Sequence, residues 1–286
     1  MATSLSIIDM PRTRRIFCGI LTKQPSNSSG ASAPVLVVAH PGHELRVYGW
    51  MTSVRPVVHV LTDGSGRDGA PRIQSTTTLL DSVGGTRGSI YGRMSDREIY
   101  RAILAGDHAR FIELAEELAA EFLRADLAIV AGDAVEGFNP SHDVCRYVIN
   151  AAVRIAAAAG RTIKCYAFAL DGAPDLCPPD LRGPSLQVQL DDALLERKLR
   201  AAHDYAELRS EVESALQRFG RAPFRSECLW PVDLADPYGW DADHVPYYET
   251  YGAHRVATGA YEQVVTFREH VKPLADALWC HRAVSA

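Results

Sequence analysis

Long hydrophobic runs are missing from this sequence. No apolar stretch among its 286 residues approaches the roughly 18 that a membrane span needs. Met1 to Pro11 has no continuous apolar segment after a basic start, so no signal peptide is expected. Positive charge is also scarce. Thirty Lys and Arg face 35 Asp and Glu, for a net charge of −5, which leaves no overall electrostatic footprint for nucleic acid or an anionic membrane. There is no C-x-x-C pair: Cys18, Cys145, Cys165, Cys177, Cys228 and Cys280 lie far apart. Six such cysteines in a chain of this length do not read as a disulfide framework, so a reduced, cytoplasmic protein is expected. No internal repeat is found. The glycine-rich stretch Gly64–Gly69 lacks the spacing of a phosphate loop or a dinucleotide fingerprint.

What is present is an ordinary globular composition, 47% hydrophobic and 23% charged, which excludes disordered and fibrous classes. Four apolar runs read as strands buried on both faces, at Val35–Ala39, Val57–Leu61, Leu127–Ala131 and Thr162–Leu170. Helical periodicity alternates with them: from Phe111 through Phe122, over 142–159 up to Gly160, and over 191–219 as one long or two broken helices. This alternation predicts an α/β fold, a Rossmann-like and mostly parallel sheet with helices on both faces. The simplest organisation is one domain over 1–286, with a leader and loop at 1–34, a core at 35–170 and a helical and aromatic C-terminal elaboration at 171–286.

The chemistry concentrates where the strands end. In an open α/β sheet, ligands bind beyond the carboxyl ends of the strands. The first strand runs into Ala39-His40-Pro41-Gly42-His43-Glu44, and Pro41 and Gly42 force a tight turn that lets both imidazoles face the crevice. The third strand ends in Asp133-Ala-Val-Glu-Gly-Phe-Asn-Pro-Ser-His-Asp143, which opens a helix near Pro140. His142 then completes a three-histidine set with an open fourth position, as in catalytic zinc sites. Imidazole ligation also suits other divalent transition metals.

These motifs resemble the LmbE-like (PIG-L) zinc deacetylases over residues 35–170. The resemblance implies a Rossmann-like core, a zinc ion, a small-molecule substrate, and His40, His43 and His142 as ligands. The family pattern is A-H-P-D-D-E followed later by H-P-x-H. Here Gly42 stands at the position of the general base, His43 replaces a carboxylate ligand, and Asn139 stands where many members carry a second catalytic histidine. Proton transfer therefore falls to Glu44, Glu136, Asp133 or Asp63, each of which also has an ordinary reading as a helix-end, loop or turn carboxylate. The function expected is a metal-dependent hydrolase removing an acyl group from a small molecule such as an amino sugar or a biosynthetic intermediate. A non-hydrolytic metal enzyme on the same scaffold and a silent binding protein stay open. No nucleic-acid or membrane partner is expected, and a homo-oligomer is compatible with the sequence.

Other features carry less. His59 reads as a satisfied core residue; His108, His203, His270 and His281 read as solvent-facing; His244 and His254 sit close enough to an aromatic tail to line a site. The residues around Ser75–Thr78 and Arg87–Arg93 read as surface loop with two arginines able to meet an anion, ahead of a capped helix at Ser95-Asp-Arg-Glu98. Seven of the fifteen Trp and Tyr residues lie between Trp230 and Tyr261. Most are expected to pack the C-terminal elaboration, with one or two near the site.

Overall fold

The computed structural model describes residues 32–66, 69–239 and 244–281. The expected leader up to residue 31, Cys18 and Trp240 lie outside the described residues. Seven strands form one sheet in the order β3-β2-β1-β4-β5-β7-β6. They are β1 (Val35–Val38), β2 (Val57–Thr62), β3 (Thr86–Met94), β4 (Ile129–Asp133), β5 (Lys164–Phe168), β6 (Leu186–Gln189) and β7 (Ser226–Pro231). The first five pair in parallel, and β7 runs antiparallel to β5 and to β6. The helices are α1 (Tyr48–Val54), α2 (Ile73–Val83), α3 (Asp96–Ala105), α4 (His108–Arg124), α5 (Pro140–Ala158), α6 (Asp192–Asp204), α7 (Arg209–Phe219), α8 (Tyr247–Ala257) and α9 (Lys272–Cys280).

The alternation of side chains along β1 shows why helices cover both faces. Val35 and Val37 join one core with Phe111, Leu118, Val148 and Leu274. Leu36 and Val38 join the other with Trp50, Met51, Leu79 and Leu80. A strand of period 2 with apolar residues at every position has to be covered twice, so the uninterrupted Val-Leu-Val-Val run dictates the layering.

Several expectations are corrected. The segments at 75–78 and 87–93 belong to α2 and β3, not to a loop. Their sequences hid this because only Ile90 and Met94 of β3 are buried, as befits a polar edge strand. The capped helix at Ser95 does form: Ser95 Oγ accepts from the Glu98 N–H, and the Glu98 carboxylate accepts from the Ser95 N–H. The turn after β1 enters a short 3₁₀ segment, His43–Val47, before α1 begins. The 191–219 pattern breaks into α6 and α7 around Tyr205–Leu208. Cys177 and Cys228, with Cα atoms 5.7 Å apart, are disulfide-bonded, so the all-reduced reading does not hold. His270 is buried, its Nδ1 accepting the Thr266 N–H, because Phe267–Val271 forms a wide helical turn that leads into α9 and sets the ring over its own start.

His59 is fully buried, as expected. Its ring passes beneath Gly88, takes the Ile90 N–H on Nδ1 at 3.3 Å, and lies 3.2 Å from Glu121 Oε1. The β2–β3 register slips at this point, between Val58↔Arg87 and Val60↔Tyr91. The imidazole thus satisfies a backbone donor that the ladder gives up. A Cβ on Gly88 would stand 2.3 Å from His59 Cε1. Gly88→Ala is therefore expected to destabilise the fold by about 1–3 kcal/mol, read as a lowered urea midpoint at unchanged slope. An unchanged midpoint would show that the ring has room to give way.

Candidate functional site

The carboxyl ends of β1 and β4 lie side by side, since Val37 pairs with Gly132. The turns that leave these strands bring His40, His43 and His142 together. Their ring centroids are 5.2 Å (His40–His43), 5.1 Å (His40–His142) and 4.5 Å (His43–His142) apart, with every pair edge-on. Gly42 makes this turn possible with φ of 105°, a left-handed conformation that side chains disfavour.

Each ring has a defined environment. His40 Nδ1 lies 2.7 Å from Thr62 Oγ1 and 3.0 Å from Asp96 Oδ1, and its Nε2 lies 2.7 Å from Ser141 Oγ. His43 Nδ1 lies 2.9 Å from Asp133 Oδ2, the same oxygen that accepts the Ala39 N–H at 2.8 Å. His142 comes from the first turn of α5, where Asn139 caps the helix by accepting the Ser141 N–H. Burial, followed by the charges of neighbouring imidazoles, pushes His43 and His142 well below the ordinary histidine range. Arg72 and Arg46 add to the effect on His43. Both rings are therefore neutral at physiological pH, the form that ligates metals.

As the side chains stand, no three His, Cys, Asp or Glu among the described residues are set to hold a metal ion. One local reason is that Ser141 Oγ covers His40 Nε2. The donor set and spacing nevertheless suit an ion. Three imidazoles sharing one zinc at about 2.0–2.1 Å with tetrahedral angles keep their centroids roughly 5 Å apart. His142 Nδ1 is in addition a buried nitrogen without a hydrogen-bond partner, the sort of atom that an ion or ordered water normally satisfies.

The carboxylates separate into two groups. Asp133 sits against His43, fully buried, with Oδ1 unpartnered; burial pushes its carboxyl up to about 7 against the Ala39 N–H and the nearby charges of His40 and Arg146. Glu136 lines the adjoining loop. It accepts the Leu170 and Asp171 N–H groups, and burial raises it to about 7, with Arg46 opposing. Arg46 itself donates to the Leu170 and Gly172 carbonyls. The other two candidates point elsewhere. Glu44 turns back to accept the Gly42 N–H at 2.8 Å. Asp63 closes a turn by accepting the Ser65 N–H at 2.8 Å. Asp143 shapes the loop by accepting the Glu136 and Gly137 N–H groups.

Thr62, Asp96, Ser141 and Arg46 escaped the sequence reading. Asp96 had a visible signal only as part of a helix start; the crossing from β3 to α3 is what sets it on His40. Of the remaining histidines, His203, His244 and His254 are exposed. Arg87 lies over Tyr91 on the edge strand, and Arg93 pairs with Glu117 on α4.

No protein-family model matches the chain, and no curated protein matches it in sequence. Among solved structures it is similar to the A40926 pseudoaglycone deacetylase Dbv21, with TM-score 0.51 and 18% identity, covering 74% of this chain and all of that one. It is also similar to the zinc-inhibited form of the teicoplanin deacetylase Orf2, with TM-score 0.47 and 15% identity, covering 69% of this chain and 97% of that one. At these identities the first likeness establishes a shared α/β fold. Among the described residues, no helix is long and apolar enough to cross a membrane.

The turn at Gly42 is closed from outside. A Cβ there would stand 2.2 Å from Leu208 Cδ1, on the connector between α6 and α7. A carboxylate at this position therefore has to displace the Leu208 methyl and take up a left-handed backbone that side chains disfavour. Gly42→Asp is expected to destabilise the protein by about 2 kcal/mol or more, and Leu208→Ala in the same chain to recover part of that loss. Strictly additive effects in the double-mutant cycle would refute the contact.

Proposed function

We propose that this chain is a metal-dependent hydrolase that cleaves an amide C–N bond, removing an acyl group from a small molecule such as an amino sugar or a biosynthetic intermediate. The observation that carries this reading is the set of three buried, edge-on imidazoles at the carboxyl ends of β1 and β4. The fold shared with a deacetylase is in keeping with it. His40, His43 and His142 would hold a divalent ion, zinc or another transition metal. When bound, such an ion supplies Lewis acidity toward the amide carbonyl and an activated water.

The chain's own residues do the rest. Asp133 fixes the His43 ring, and Thr62 and Asp96 fix His40, which keeps donor nitrogens oriented. Proton transfer falls to Glu136. Asp133, Glu44 and Glu136 are all raised to about 7, but Asp133 and Glu44 are fully buried whereas Glu136 is partly exposed. The Glu136 carboxyl is half-buried and poised near neutrality, so it can take a proton at Oε and return it to the leaving nitrogen.

Metal analysis of untagged protein is expected to find a stoichiometric divalent ion that His43→Ala and His142→Ala lose. Amine release from N-acetylated sugars is expected to vanish in His40→Ala. A metal-free wild type, or a metallated one that hydrolyses no member of a broad amide panel, would overturn the reading.

The pH profile tests Glu136 separately. Its carboxylate form is the base, so kcat/KM should rise as pH climbs through about 7. Glu136→Gln should lower activity by roughly 10²–10⁴-fold and flatten that limb. An unaltered profile in Glu136→Gln would reassign the proton step.

A further inference from the structure

Phe138, Tyr247 and Tyr251 are large rings left 42%, 53% and 43% exposed. They are not scattered. Phe138 and Tyr247 stack with centroids 5.2 Å apart and planes 8° from parallel, and Tyr251 continues the stack at 5.8 Å and 26°. The arrangement is held from behind: Tyr248 is buried and its N–H donates to Gly137 O. Glu249 accepts the Phe267 N–H at 2.6 Å, and Gly252 is buried with Val264 closing on it. Helix α8 is thereby fastened to the β4–α5 loop and to the entry of α9, so the rings form a fixed ladder.

The ladder is joined to the three-histidine site through the start of α5. Phe138 directly precedes Asn139, whose Oδ1 accepts from Ser141 Oγ and Tyr100 Oη, and Ser141 Oγ lies on His40 Nε2. At the far end, the Arg255 guanidinium lies 5.9 Å from the Tyr251 ring and 5.5 Å from the Tyr261 ring. Its Nε is buried with no hydrogen-bond partner among the described residues.

We propose that Phe138, Tyr247 and Tyr251 form a subsite for an aromatic ring bearing an anionic substituent, with Arg255 pairing the anion. Stacked aromatic faces favour a flat ring, because offset π contacts add to the area buried. An arginine already lying on two rings favours a carboxylate beside them. Assigning this ring to the substrate rests on the hydrolase reading; the binding itself does not.

The test is therefore binding without turnover. In His142→Ala protein, 2-naphthoate is followed by its fluorescence anisotropy, with 2-naphthamide and cyclohexanecarboxylate compared by competition. Expected is saturable 2-naphthoate binding, weakened at least roughly 10-fold by Phe138→Leu with Tyr247→Leu. Arg255→Gln should weaken 2-naphthoate but leave 2-naphthamide unchanged, and cyclohexanecarboxylate should compete poorly. Circular dichroism and the thermal midpoint confirm that each variant is folded. No binding to folded protein, or binding indifferent to the Phe138 and Tyr247 pair, would overturn the subsite. Equal loss of acid and amide in Arg255→Gln would overturn the anionic half. If these effects appear while no amide is hydrolysed by the wild type, the subsite stands and the hydrolase reading fails.

Discussion

The structure depends most on one oxygen. Asp133 Oδ2 receives the Ala39 N–H from the end of β1 and faces His43 Nδ1 across the crevice. It therefore fastens the carboxyl ends of two neighbouring strands and aims an imidazole in the same stroke. The carboxyl is completely buried, where an uncompensated charge is costly. Its stability comes from that backbone donor, from His40 and from Arg146. Arg146 is itself buried beneath the strand ends, donating to the Asp133 and Tyr166 carbonyls. The floor of the site is thus a polar layer in which the ends of β1, β4 and β5 are tied together through Asp133 Oδ2 and Arg146. An apolar residue at 133 would leave the Ala39 N–H without its partner and the His43 ring without its orientation.

From that floor, local sequence builds the walls. Pro140 opens α5 with a residue that has no N–H to lose, and Asn139 caps it, so His142 falls within the first turn and faces β1. Asp143, next in the chain, points back to hold the Glu136 and Gly137 N–H groups. This folds the loop so that Glu136 meets the backbone after β5. Arg46, carried on the turn after β1, then closes the circuit by donating to the Leu170 and Gly172 carbonyls. Three chain segments far apart in sequence are knitted by side chain to backbone bonds. Regular ladder pairing cannot do this once the strands have ended.

Much of this was legible in the sequence, and the reason is periodicity. Continuous apolar strands such as Val35–Val38 declare double burial, and the H-P-G-H turn and the N-P-S-H helix start declare their places at strand ends. The parts that were not legible depend on contacts between distant elements. β3 hid because an edge strand needs few apolar residues, and its line Thr86–Met94 bends around the His59 ring. Asp96 looked like a helix-start acid and is one, yet the same position sets it on His40. Glu44 looked available to the crevice, but a five-residue 3₁₀ turn rotates it toward the Gly42 N–H. The Cys177–Cys228 link spans 51 residues, and no spacing rule predicts such a pair.

The C-terminal elaboration has a larger part than packing. Its connector at Tyr205–Leu208 reaches the H-P-G-H turn. Tyr205 Oη lies 2.8 Å from Thr76 Oγ1, and Leu208 fills the space over Gly42. The glycine and the leucine are complementary: the turn can take its left-handed conformation because no side chain is there, and the leucine can close on it for the same reason. A side chain at position 42 would need both the left-handed turn and the Leu208 side chain to give way. Across the crevice the β4 loop carries Glu136, half-buried and raised to about 7. The same loop carries Phe138 onto the exposed rings of α8. A single excursion after Asp133 thus carries Glu136, Phe138 and His142, while the turn after β1 carries His40 and His43.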